Sequence, residues 1–136
     1  MWEMGNVINW SLFIGGMARE TLCDIAIGSS AQFDGLLDDG KPVLAFFHMD
    51  GDVWRQAVAG LSQSPSLFDY LDRKGIVAVS VDVQRNEDLA ALAEEQNYIA
   101  SPHVMAFDAT GKIRGESVGY IIGGTLLSNL VDWYGR

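Results

Sequence analysis

Pro42-Val43-Leu44-Ala45-Phe46-Phe47-His48, followed by Met49-Asp50-Gly51-Asp52-Val53-Trp54-Arg55, is the stretch on which the fold turns. Its first half is an unbroken apolar run, the pattern of a strand covered on both faces. A glycine-bearing acidic loop follows, and Val53 to Leu61 then reads as a helix. Ile76 to Val83 is a second β-branched run of the same kind. Strands buried on both faces require helices above and below them, which predicts a sheet with parallel neighbours.

The flanking segments complete the pattern. Leu22 to Ile27 alternates weakly and leads to Ser29 or Ser30, either of which can cap a helix with Ala31, Phe33, Leu36 and Leu37 on its apolar side. Asp38-Asp39-Gly40-Lys41-Pro42 stops it. Ser64-Pro65-Ser66 breaks or kinks the helix that begins near Val53, and Leu67, Tyr70 and Leu71 continue its apolar face as far as Gly75. Glu87 to Gln96 reads as a helix with Leu89, Leu92 and Ala93 inward. His103 to Asp108 is a third strand, Ala109-Thr110-Gly111-Lys112 a tight turn, and Ile113 to Val118 an antiparallel return. A closing helix from about Thr125 to Tyr134 turns Leu126, Leu127, Leu130, Val131 and Tyr134 inward. The order is β-α-β-α-β-α-β-β-α: an α/β, three-layer fold with a central mixed sheet and helices on both faces.

Composition narrows what such a domain does. The 136 residues suffice for one domain, here residues 21–136, and the 49% hydrophobic content supports a packed core. Nine Lys and Arg against 18 Asp and Glu give a net charge of −9, with no basic run to neutralise phosphates, so nucleic acid is not an expected partner. The single cysteine, Cys23, excludes an intramolecular disulfide, a cysteine-rich zinc site and a two-thiol redox cycle within the chain.

Residues 1–20 form an apolar N-terminal extension, with Trp10, Phe13, Ile14 and Met17 spaced along one helical face. Its only early charge is Glu3, unlike the basic start of a secretory signal. The run from Val7 to Ala18 is too short for a membrane span and is interrupted by Asn9 and Ser11. It reads as a segment packing on the domain or on a neighbouring copy, giving a homo-oligomer contact. The alternative is a partner-docking or membrane-surface helix, against which Gly15-Gly16 and the lack of basic residues argue. The cytoplasm is the default location; a periplasmic or membrane-associated one follows if the segment ends a longer leader.

Three segments together resemble the thioredoxin superfamily: Lys41 to His48 as the central strand leading to the active-site loop, Ile99-Ala100-Ser101-Pro102-His103-Val104 as the loop with the cis-proline, and Asp108 to Tyr120 as the terminal hairpin ending at Gly119. The resemblance covers about 115 residues from Cys23 onward and implies a thioredoxin-like fold. It also implies a departure. Redox-active relatives open the helix after the central strand with Cys-x-x-Cys, where the helix dipole favours a thiolate. Here Asp52-Val53-Trp54-Arg55 stands in that place, and the relatives' buried acid falls on Phe46. Dithiol–disulfide oxidoreductase activity is not expected. Cys23, on the presumed first strand, reads as a small core hydrophobe, with an intermolecular single-thiol role as the alternative.

The resemblance gathers His48, Asp50, Asp52 and His103 where the thiols would lie. His48, Asp52 and His103 are the residue types of a metal or acid–base site, yet no ligand spacing supports one. The simpler reading makes Asp50 or Asp52 a helix cap and the histidines hydrogen-bonded rim residues. Relatives bind an extended peptide along the cis-proline face through the residue before the proline, here Ser101. That implies a partner- or peptide-binding surface from Met49, Asp50, Asp52, Trp54, Ser101, Pro102 and His103, with Tyr120 and Ile121 adding apolar area; the alternative places Trp54 in the core. Gly123-Gly124 lacks the spacing of a dinucleotide loop, and no cofactor is expected.

Overall fold

The computed structural model describes Arg19 and residues 21–136; the apolar extension and its expected helical face lie outside the described residues. The elements run β1 (Ile25–Ala26), α1 (Ser30–Leu37), β2 (Val43–His48), α2 (Asp52–Leu61), α3 (Pro65–Arg73), β3 (Val77–Asp82), α4 (Glu87–Glu95), β4 (His103–Phe107), β5 (Ile113–Val118) and α5 (Gly123–Tyr134). The strands form one mixed sheet in the order β1-β3-β2-β4-β5. β1 and β2 run parallel to β3, whereas β4 is antiparallel to both β2 and β5.

The side-chain period of two divides the core between the sheet's faces. Leu44 and Phe46 join Ala78, Val104 and Ala106 on one face, covered by Leu61 of α2, Leu67 and Leu71 of α3, and Leu126 and Leu130 of α5. Val43, Ala45 and Phe47 join Val79, Val81, Met105 and Phe107 on the other, beneath Phe33 of α1 and Leu89 and Leu92 of α4. All six residues of β2 are buried, as a central strand under two layers of helices requires.

Of the break or kink expected at Ser64-Pro65-Ser66, the structure has the break: α2 and α3 are separate helices. Three residues separate them, and Pro65, which has no N–H to donate, occupies the first turn of α3. The first strand is shorter than its apolar pattern. Backbone bonds from Asp24 N–H to the Ala78 carbonyl at 2.7 Å and from Ile27 N–H to the Ser80 carbonyl at 2.8 Å attach it at both ends. The Asp24 carboxylate adds the Ala78 N–H at 2.9 Å while Arg19 grips Asp24 and Asp72. Ser29 accepts the Gln32 N–H at 3.1 Å and caps α1, and Asn86 caps α4 through Leu89 N–H at 2.8 Å. At the far end of the sheet the Tyr134 hydroxyl meets the carbonyls of Val43 and Phe107 at 3.1 and 3.0 Å, tying α5 to β2 and β4. No helix among the described residues is long and apolar enough to cross a membrane.

Candidate functional site

β2 delivers His48 to the edge of the core, and Met49 to Gly51 turn the chain into α2. Gly51 adopts φ 156° and ψ −176°, a region that side chains disfavour. It is also the N-cap, and no side chain caps the helix there. The expected carboxylate cap is therefore absent: Asp52 is already the first helical residue. Its charge still meets the positive end of the helix dipole. Asp52 pairs with Arg55 one turn on, and Asp50 lies 3.7 Å from the same guanidinium. All three side chains are exposed, so these pairs contribute little stability.

The facing wall comes from the segment before β4, where the Ser101–Pro102 peptide bond is cis. The Met49 N–H donates to the Ser101 hydroxyl at 3.0 Å, joining the two loops. The Gly119 N–H donates to the Pro102 carbonyl at 2.9 Å, which sets the β5–α5 turn beside them. Between Met49–Trp54 and Ile99–Ser101 lies an open cavity of about 340 Å³. Apolar side chains stand at its rim, with Met49 44%, Val53 52% and Ile99 72% exposed. Trp54 is both packed inward and set in the cavity wall. Its indole stacks on His48 at 4.0 Å and 10° and packs against Phe46, while the same residue lines the cavity.

His48 and His103 do not converge. Directly opposed residues of paired strands share a face, and His103 opposes Phe47, whose side chain points away from that of His48. The two imidazoles therefore lie on opposite faces of the sheet. Among the described residues no three His, Cys, Asp or Glu side chains are grouped to hold a metal ion. His48 is nearly buried; desolvation lowers its pKa, against the opposing pull of the Met49 carbonyl, Asp82 and Asp50. His103 is fully buried, 2.7 Å from Glu116 and stacked near Tyr98. Neither partner follows from local sequence. A β4–β5 register with Met105 opposite Glu116 would have found the first, since residue pairs two apart on paired strands lie within reach of long side chains.

Cys23 lies away from this site. Ile25 is level with Val79 and hence with Ala45, so Cys23 sits toward the start of β2 and His48 at its end. Burial, aided by Asp24 and opposed by Arg19, pushes the thiol pKa up to about 12. It packs against the core beneath α3 and α5.

The same element order and sheet recur in solved structures. A thioredoxin from Trypanosoma brucei brucei superposes with a TM-score of 0.67 at 16% identity, covering 85% of this chain and 93% of its own. The chain has the thioredoxin fold. Thioredoxin O2 from Arabidopsis thaliana gives a TM-score of 0.62 at 18% identity over 81% of this chain and 93% of its own. Thioredoxin f2 from Chlamydomonas reinhardtii gives 0.64 at 12% identity over 82% and 97%. No protein-family model matches the sequence, and no curated protein matches it significantly. Within this thioredoxin fold, the loop from Met49 to Arg55 holds no cysteine.

Proposed function

We propose that the chain is a peptide- or partner-binding module that works without dithiol chemistry, using the groove between Met49–Trp54 and Ile99–Ser101. The observation that carries this reading is the groove itself. Two loops joined by the Met49–Ser101 hydrogen bond enclose an open cavity rimmed by exposed Met49, Val53 and Ile99. Apolar side chains around a concave site favour an apolar ligand residue, while neighbouring backbone groups can orient an extended chain. The lone, deeply protonated thiol just before β1, level with the far end of β2, supports the non-redox part. A cytoplasmic setting belongs to the same reading. The metal or acid–base alternative finds no support, because the two imidazoles face opposite sides of the sheet.

The test is a screen of extended apolar decapeptides against 15N-labelled protein, with shift changes mapped residue by residue. Binding should perturb Met49–Trp54 and Ile99–Ser101, and the double variant Trp54→Ala, Pro102→Ala should lose it. Perturbations confined to another surface, or undiminished binding by the variant, would refute the groove. Insulin reduction by the isolated protein above the buffer rate would refute the non-redox part.

A further inference from the structure

His103 follows the cis-proline and has no exposed surface, so it cannot touch a ligand in the groove. It touches the groove's wall instead. The Ile99 N–H donates to His103 Nδ1 at 3.2 Å. An N–H only donates, so Nδ1 must be the unprotonated nitrogen. The hydrogen of the neutral ring then sits on Nε2, which donates to Glu116 Oε1 at 2.7 Å. The arrangement uses both ring nitrogens and defines one tautomer.

We propose that His103 is a positioning residue of the groove: as a neutral imidazole it holds the Ile99–Ser101 wall from beneath, and protonation at Nδ1 releases that wall. The added proton would face the Ile99 N–H, donor against donor, and the tie must break. Ile99 is the most exposed apolar residue lining the cavity, so its displacement reshapes the binding surface. Glu116 of β5 is half exposed and is the one carboxylate in contact with the ring, at Nε2. The Tyr98 phenol packs on the ring from the loop after α4, and the cross-strand neighbours Phe47 and Val118 carry no charge. The inference rests on the groove reading for its functional meaning, while its geometry can be tested on the free protein.

Histidine 15N shifts of the full chain report the tautomer, and Ile99 amide exchange, corrected for intrinsic rate, reports the wall. The Nε2–H tautomer is expected for the neutral ring, and the Ile99 resonance should move together with protonation of His103 when the pH is lowered. Exchange at Ile99 should become about tenfold faster as the ring charges. His103→Asn leaves a carbonyl oxygen near the Nδ1 position and should keep Ile99 protected as the pH is lowered. His103→Gln reaches toward Glu116 instead and should leave it unprotected. An Nδ1–H tautomer in the neutral ring, a ring that takes up no proton before the protein unfolds, or an Ile99 amide indifferent to that protonation would overturn the proposal. Should either variant misfold, these wild-type measurements still decide. For a peptide that binds, affinity should fall toward acid pH in the wild type and hold in His103→Asn. Finding no peptide at any pH would count against the groove alone, since the tautomer and the exchange are read without a ligand.

Discussion

Replacing Trp54 with alanine separates the two roles of this side chain in one experiment. The indole is partly buried, stacked 4.0 Å from the His48 ring and 5.9 Å from Phe46, with the remainder facing the groove. A covered aromatic side chain removes about 150–250 Å² from water, so on the lower figure the roughly two-thirds of the indole that is covered amounts to about 100 Å². At about 25 cal/mol per Å² that is about 2.5 kcal/mol, and the ring stack adds about 0.5–1 kcal/mol. Relaxation of neighbours into the vacated space returns part of it, leaving an expected loss of about 2–3 kcal/mol. For a domain of this size the midpoint of thermal unfolding should fall by about 10 °C. Chemical denaturation and calorimetry measure the loss. A second readout ties it to the site. Desolvation holds the His48 pKa below its ordinary value, so uncovering the ring should raise it, visible in the proton NMR titration of His48. A variant that loses under 0.5 kcal/mol and leaves the His48 titration unmoved would show that the indole does not cover the imidazole, and the account of the groove floor would fail.

The remaining predictions concern pH and the thiol. Because the His48 pKa is lowered on folding, the unfolded chain binds more protons near its ordinary pKa, and stability should decline as pH falls through the window from about 6.5 downward. His48→Phe should flatten that dependence in denaturation midpoints measured from about pH 7 to 5; an unchanged slope would refute it. With its pKa pushed up to about 12, the folded Cys23 thiol should be nearly inert to thiol reagents at pH 7 and react freely in denaturant. Rapid labelling of the native protein would restore the single-thiol reading.

Much of this was legible in the chain. Burial on both faces of a strand leaves an apolar run with no alternation, and Val43 to Phe47 and Ile76 to Val81 carry that mark, so the central parallel pair could be read directly. Turn chemistry was local too: Asp108 gathers the amides of Thr110 and Lys112 around Gly111, and the hairpin stands where that pattern sits. Lone-cysteine arithmetic excluded a two-thiol cycle within the chain, since one sulfur cannot cycle with itself.

Only the tertiary structure decided what the site's polar residues do. His48 and His103 stand at neighbouring strand ends, and nearness in topology suggested convergence. A β-strand alternates its faces at every residue, however, so the register that sets His103 opposite Phe47 puts the two rings on opposite sides of the sheet. The same alternation hands His103 to Glu116 and His48 to Trp54. The acid loop became a helix entry capped by Gly51 because backbone geometry, rather than carboxylate chemistry, closed the turn. Residue types and their local spacing are properties of the sequence; which face each one occupies depends on a register between distant strands, and that exists only once the chain has folded.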